Sequence, residues 1–96
     1  MTYKLANKLS DSGFEPILGG KGQMIAKEIK DAQLIDPFYA PSLEELINAC
    51  GEEFRCLLRD DKTWIASDNV FGHRFQGKGK TPLIAVANLW LALQKN

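Results

Sequence analysis

The chain has 96 residues, 45% of them hydrophobic and 25% charged, and its twelve basic residues balance its twelve acidic ones. This composition is typical of one globular domain, so we predict a single domain over residues 1–96. Zero net charge argues against a protein that acts mainly through contacts with a nucleic-acid backbone. No apolar run is long enough to span a bilayer, and residues 1–8 lack a signal-peptide core, so no membrane association and a cytoplasmic location are expected. In that compartment Cys50 and Cys56 should stay as buried thiols.

The first forty residues contain one clear helix and one ambiguous segment. Residues 3–12 place their apolar side chains on one side, and Gly13 can provide the left-handed residue that ends a helix. Residues 23–30 fit either an edge strand or a helix face, and the glycine loop before them favours the strand. Pro37 and Pro41 bias the residues before them towards extended backbone, so an extended connection is expected there.

The strongest local signal in the chain is a helix start at Ser42. A serine followed three residues later by Glu45 forms a capping box, in which each side chain accepts a hydrogen bond from an N–H group at the start of the helix. Apolar residues then recur at helical spacing as far as Cys50, and Gly51 closes the helix.

Three strands are predicted to follow as an antiparallel meander. Apolar and polar residues alternate over residues 54–59 and again over residues 63–67, with a polar turn between them, which predicts a hairpin. A third short strand is expected at residues 73–76, before a soluble turn at residues 77–80. The predicted apolar positions are Phe54, Cys56 and Leu58 in the first strand and Trp64 and Ala66 in the second.

The last helix, over residues 81–94, organises the predicted fold. Thr81 suits the capping position and Pro82 the first helical position. Most apolar residues of this helix fall on one broad face, whereas Ile84 and Leu91 fall on the opposite flank, where a solvated helix would be polar. We therefore predict that Ile84 and Leu91 contact another part of the chain, a second copy or another protein.

These elements together predict an α+β fold. Its single antiparallel sheet would contain the three-stranded meander plus an edge strand over residues 23–30, with helices packed on one face. Residues 1–40 would form the helix, loop and strand region, and residues 41–96 the second helix, the meander and the last helix.

The glycines and lysines before the last helix contain fragments of a phosphate-binding loop. Residues 72–78 have the spacing of a P-loop and residues 79–81 lead into a helix N-terminus, but the two halves do not share one frame, so nucleotide hydrolysis is not expected. A weaker hypothesis is that Arg74, Lys78 and Lys80, beside open helix N–H groups, attract an anion or nucleic acid. The alternative is a soluble turn that binds nothing.

No set of residues in the sequence indicates catalysis or metal binding. His73 is the one histidine, the two cysteines have unrelated spacing, and the glutamates of residues 44–53 suit a helix start and the loop behind that helix. The sequence therefore predicts no catalytic residue, no metal ligand, no cofactor and no enzymatic activity.

Two stretches resemble a family of small uncharacterised proteins encoded by bacteriophages and prophages. The stretch APSLEELINACG, residues 40–51, is similar to APTLEELIEACG in that family, and TPLIAVANLWLALQK, residues 81–95, is similar to its ending TPEEAVANLWLALNK. The chain departs at Leu83 and Ile84, where the family has two glutamates, and this adds apolar surface. A β-meander followed by a helix also resembles the partial double-stranded-RNA-binding-like fold of HicB-type antitoxins. The family resemblance implies a viral context and no assigned activity.

We therefore predict a non-enzymatic phage or prophage accessory protein that acts in the host cytoplasm by binding a protein. That partner is either the protein itself, as a homodimer, or a host or defence protein that it modulates or inhibits, with Ile84 and Leu91 as expected contacts. The alternative is a small nucleic-acid-binding module that uses Arg74, Lys78 and Lys80, which the zero net charge disfavours.

Overall fold

The computed structural model describes residues 1–15, 20–69 and 75–94, and within these ranges it contains three helices and seven strands. The chain divides into two compact units, Met1–Ser42 and Leu43–Asn96. The combination of helices with small antiparallel sheets confirms the predicted α+β class.

The first unit begins with helix α1, Tyr3–Asp11, at the predicted place. The Thr2 hydroxyl caps this helix by accepting a hydrogen bond from the Leu5 N–H at 3.2 Å. Gly13 follows the helix with a φ of +92°, the left-handed conformation that was predicted to end it. The buried residues of the helix are Ala6 and Leu9.

A long antiparallel hairpin with four short strands follows in the same unit. At its base, β1 (Gln23–Ile25) pairs with β4 (Phe38–Ala40), and at its tip β2 (Glu28–Lys30) pairs with β3 (Gln33–Ile35). The base packs against α1. Asp36, which precedes a proline and has a φ of +47°, interrupts the second arm of the hairpin between β3 and β4.

Tyr3 joins α1 to this hairpin. Its ring lies 5.4 Å from the ring of Phe38, measured between centroids, and its hydroxyl donates a hydrogen bond to the Asp36 carbonyl oxygen at 3.0 Å. Gly22, directly before β1, donates its N–H to the Tyr39 hydroxyl of β4 at 3.0 Å. A Cβ at Gly22 would overlap the backbone carbonyl oxygen of Ala40 and lie 2.5 Å from Cζ and the hydroxyl oxygen of Tyr39, so this position has no room for a side chain.

The arrangement of the sheets corrects the sequence-based prediction. Residues 23–30 are strands, as predicted, but they pair with residues 33–40 and not with the meander. The structure therefore contains three separate sheets where one was predicted. Residues 33–40 also form strands where an extended connection was expected. Each of these strands has three residues, too few for an alternating pattern to show, and Pro37 falls in the gap between two of them, where the ladder needs no N–H donor.

The second unit begins with helix α2, Leu43–Cys50. It starts directly after Ser42, as the capping signal predicted, and it is followed by Gly51, which has a φ of +62°. A short 3-10 turn, Gly51–Glu53, leads from α2 to the first strand of the meander.

The meander is a three-stranded antiparallel sheet in the order β5 (Cys56–Asp60), β6 (Thr63–Ser67) and β7 (Gln76–Gly79). The hairpin of β5 and β6 is confirmed. The third strand lies later than predicted: residues 73 and 74 fall outside the described ranges, and residues 77–79, predicted to be a soluble turn, belong to β7.

Helix α3, Pro82–Gln94, is the core of the second unit. It packs against β6 and β7 on one side and against α2 on another. Two-sided coverage accounts for a helix that is apolar around most of its circumference. The buried residues of α3 are Ala85, Val86, Ala87, Leu89 and Trp90.

Candidate interaction surface

The register of the meander separates its residues into two faces. Leu58 lies opposite Ile65, and Ile65 lies opposite Lys78, so these three side chains share one face. The next row is one residue away along each strand. It consists of Leu57, Ala66 and Gly77, which share the other face. We call the first the open face and the second the helix face, because α3 packs on the side of Gly77.

The helix face depends on two glycines in β7. A Cβ on Gly77 would overlap the backbone nitrogen of Leu89 and the carbonyl oxygen of Ala85, so the strand and α3 are in direct backbone contact. A Cβ on Gly79 would lie 2.5 Å from Cγ2 of Ile84. These two glycines therefore allow close helix packing, and they do not form a phosphate-binding loop.

Asn88, the single polar residue between Leu83 and Leu93, completes the contact of α3 with β7. Its side-chain nitrogen donates a hydrogen bond to the carbonyl oxygen of Lys78 at 2.7 Å. This carbonyl therefore points towards the helix and away from β6. Asn88 thus occupies an otherwise apolar helix because it satisfies a backbone acceptor on the outer strand of the sheet.

The open face carries an apolar pair at its centre. Leu58 is 49% exposed, Ile65 is half-buried, and Lys78 extends the same row with an exposed amine. On one side of it, the row of Cys56, Ser67 and Gln76 carries no charge, and Ser67 is buried with its hydroxyl bonded to Asn69. On the other side, Asp60 lies opposite Thr63 and is exposed. An uncovered leucine beside a β-branched residue, with a cation at the end of the row, is a surface suited to an apolar partner segment.

This arrangement corrects the predicted apolar face of the first strand of the meander. Cys56 and Leu58 lie on the open face, whereas Trp64 and Ala66 lie on the helix face. Leu57 also lies on the helix face. The prediction was wrong because apolar residues occupy both positions 57 and 58, which leaves the phase of a short strand ambiguous.

A charged residue also lies on the helix face, at its margin. The Arg59 guanidinium carbon lies 5.8 Å from the centroid of the Trp64 ring, close enough for a cation–π contact. The sequence signal for this arrangement is the position of Arg59 directly across the hairpin from Trp64.

The two predicted helix contacts, Ile84 and Leu91, are both half-buried. The Ile84 side chain lies against Gly79 of β7, which accounts for part of its burial. Neither is among the large apolar residues exposed to solvent, which in the described part of the chain are Met24, Ile29, Leu34 and Leu58. The interface role of Ile84 and Leu91 stays a prediction.

Of the three predicted anion contacts, the structure describes two, Lys78 and Lys80. Arg74 lies outside the described residues, Lys78 is exposed on the open face, and Lys80 is exposed between β7 and α3. At the start of α3, the Thr81 hydroxyl accepts a hydrogen bond from the Ile84 N–H at 3.2 Å, so this N–H is not open to an anion. Arg59 lies on the face of the meander opposite to Lys78, so these two cations do not form one basic surface.

The connection between β6 and β7 is held at its base by backbone and side-chain hydrogen bonds. The Phe75 N–H donates to a carboxylate oxygen of Asp68 at 3.2 Å, and the Asp68 N–H donates to the Phe75 carbonyl at 3.3 Å. The Ser67 hydroxyl, which is fully buried, donates to the Asn69 carbonyl at 3.0 Å. Phe71 and His73, in the middle of this connection, lie outside the described residues.

The two cysteines are free thiols in different environments. Cys50 is buried, as predicted, whereas Cys56 is half-buried with its sulfur 3.8 Å from the Asn69 carbonyl oxygen. Burial raises the pKa of the Cys50 thiol from its ordinary value of 9.0 to about 11. Cys50 is therefore protonated at neutral pH and is no activated nucleophile.

This shift predicts how stability depends on alkaline pH. Between pH 9 and 11 the Cys50 thiol is ionised in the unfolded chain and protonated in the folded one, so the folded state binds more protons. The free energy of unfolding should fall as pH rises through this window, by at most about 1.4 kcal/mol per pH unit from this group. Urea unfolding at several pH values measures the fall.

Tyr3, whose pKa is raised by desolvation and by Asp36, contributes in the same direction. The Cys50→Ala variant is therefore the reference, and an equal decline in both proteins would contradict the assignment.

Among the described residues, no group of three or more His, Cys, Asp or Glu side chains is placed to hold a metal ion. The helices in that part of the chain are all too short or too polar to cross a bilayer. Comparison of the chain with protein-family models, curated proteins and solved structures found no match.

Proposed function

We propose that this chain is a non-enzymatic module that binds another protein on the open face of the meander. The observation that carries the proposal is the exposure of Leu58, at 49%, directly opposite Ile65 on a face that α3 does not cover. Single exposed leucines are common on protein surfaces, but this one extends an apolar row across a sheet whose other face packs on a helix.

The charges around this row define the chemistry of the partner. Lys78 stands at one end of the row on the outer strand β7, and Asp60, two residues after Leu58 on the other outer strand, places an exposed carboxylate on the same face. A segment that places apolar side chains over Leu58 and Ile65 and a carboxylate near Lys78 would match this surface. The partner is therefore a protein with an amphipathic segment that places a carboxylate near Lys78 and none near Asp60. The resemblance to phage and prophage proteins favours a host or defence protein in the bacterial cytoplasm, whose activity the module modulates or inhibits.

The test begins with a photo-reactive amino acid incorporated at position 58, which identifies the partner by covalent capture from host lysate. The partner is then purified, and its affinity for wild-type protein and for variants is measured by isothermal titration calorimetry. We expect Leu58→Lys to weaken binding at least tenfold, which corresponds to about 1.4 kcal/mol, because it places a second cation and removes the apolar contact.

Met24→Lys is the matched control for this experiment. Met24 is 51% exposed, about as much as Leu58, and it lies in the first unit. Its replacement should leave the affinity within twofold of wild type. A loss of affinity with Met24→Lys that equals the loss with Leu58→Lys, or no loss with either, would refute binding on the open face.

A further inference from the structure

The tip of the hairpin in the first unit exposes a pair of apolar side chains at an open strand edge. Ile29 in β2 and Leu34 in β3 lie directly opposite each other, so they project from the same face. Ile29 is 73% exposed and Leu34 is 46% exposed. Within the described part of the chain, no further strand pairs with the outer edge of β2, and a two-stranded hairpin alone is marginally stable.

The turn of the hairpin determines which backbone groups of β2 face outward. Asp31 and Ala32 have φ values of +51° and +60°, as a two-residue type I′ turn requires. A hydrogen-bonded pair closes such a turn, here Lys30 with Gln33, and hydrogen-bonded and non-hydrogen-bonded pairs alternate along an antiparallel ladder. Ile29 belongs to the next pair, which is not hydrogen-bonded. Its N–H and C=O groups therefore point towards the open edge.

The charges along β2 and its flanks are self-complementary about Ile29. In sequence they are Lys27, Glu28, Ile29, Lys30 and Asp31. When two copies pair antiparallel with Ile29 opposite Ile29, each Glu28 lies opposite the other copy's Lys30. A shift by two residues places Glu28 opposite Glu28 or Lys30 opposite Lys30. A shift by one residue places Ile29 opposite Glu28 or Lys30, whose N–H and C=O groups point towards β3, so no hydrogen bonds form. The charges and the directions of the backbone groups together select one register.

We propose that a second copy of this chain pairs with the outer edge of β2 in this register. The two hairpins then form a four-stranded antiparallel sheet in the order β3, β2, β2, β3, related by a two-fold axis at Ile29. The two Ile29 residues exchange N–H···O=C hydrogen bonds, and one face of the sheet carries a continuous apolar row of Leu34, Ile29, Ile29 and Leu34. This contact uses residues separate from the open face of the meander.

The charges on this edge need a specific explanation, because charged residues usually protect strand edges against pairing. Here the alternation of sign makes the pairing with Ile29 opposite Ile29 attractive and a pairing shifted by two residues repulsive. The edge therefore resists random aggregation while accepting one partner, a copy of itself. Because β2 has three residues, the dimer is weak and reversible.

Charge-reversal variants test this register directly. Glu28→Lys or Lys30→Glu alone places like charges opposite each other on both sides of the two-fold axis. We expect each variant to dimerise at least tenfold more weakly than wild type in sedimentation equilibrium. An equimolar mixture of the two single variants should form a heterodimer, because one copy then contributes two lysines and the other two glutamates. The double variant with both changes should dimerise like wild type.

Glu52→Lys is the matched control, because Glu52 is exposed in the 3-10 turn of the second unit and its replacement changes the net charge equally. This variant should dimerise like wild type. The proposal is overturned if the wild-type protein remains monomeric at millimolar concentration, if the mixed single variants remain monomeric, or if Glu52→Lys weakens the dimer as much as Glu28→Lys does. Failure of this dimer leaves partner binding on the open face unaffected.

Discussion

Replacing Gly77 with alanine should lower the free energy of unfolding by more than about 3 kcal/mol, the upper range for overpacked sites. The added Cβ would overlap the backbone nitrogen of Leu89 and the carbonyl oxygen of Ala85. Backbone atoms in the middle of a helix cannot move aside as a flexible side chain can, so α3 has to separate from β7. Urea unfolding followed by far-ultraviolet circular dichroism measures the loss.

The control for this substitution lies next to Gly77 in the same strand. Lys78 is exposed, and its side chain points away from the helix, so Lys78→Ala should change stability by less than about 0.5 kcal/mol. A Gly77→Ala variant as stable as the Lys78→Ala variant would show that β7 does not contact the backbone of α3, and the division of the meander into an open face and a helix face would fail.

The second large effect is expected at Leu89, which is fully buried in α3. Leu89→Ala should destabilise the protein by about 3 kcal/mol, because it removes buried methyl groups and leaves a cavity beside the sheet. Leu91, two residues further along the same helix, is half-buried, and Leu91→Ala should cost less than about 1.5 kcal/mol. Thermal and chemical unfolding of both variants provide the comparison.

The ratio between these two losses tests the rotation of α3 about its axis. Equal losses would mean that the flank of Ile84 and Leu91 is core as well, and a larger loss at Leu91 would mean that Leu89 faces outward. A smaller loss at Leu91 would instead leave this half-buried side chain able to contact a partner, the role that the sequence pattern predicts for it.

The helices of this protein were predictable because their ends carry local chemistry. Ser42 and Thr81 start α2 and α3, and Gly13 and Gly51 follow α1 and α2 with positive φ. These signals depend on neighbouring residues alone, so they can be read without knowing the tertiary structure. The hairpin of β5 and β6 was predictable for the same reason, from a polar turn between two alternating segments.

The sheet arrangement was not predictable, because it depends on pairing between distant short segments. Strands of three residues, such as β3 and β4, contain too few positions to show a period of two. The glycines of β7 looked like loop residues, since their role is defined by the helix that packs on them, and that helix comes later in the chain.

The candidate surface was not predictable either, because it also depends on tertiary packing. The helical pattern drew attention to Ile84 and Leu91 because it assumed that one side of α3 is covered, whereas α2 and the sheet cover two sides. The alternating pattern places Leu58 on the apolar face of its strand, but Leu57 beside it is equally apolar, and only the pairing with β6 shows which of the two faces α3. A stretch of two adjacent leucines in a short strand is the signal that marked this ambiguity.

Methyl NMR of the complex with the captured partner tests the central claim, that the open face of the meander binds a protein. Isoleucine and leucine methyl groups report on both candidate surfaces in one spectrum: Leu58 and Ile65 on the open face, and Ile84 and Leu91 on α3. Binding on the open face predicts shift changes and intermolecular contacts at Leu58 and Ile65, with little change at Leu91. Contacts confined to Ile84 and Leu91, with the methyl groups of Leu58 and Ile65 unchanged, would contradict it.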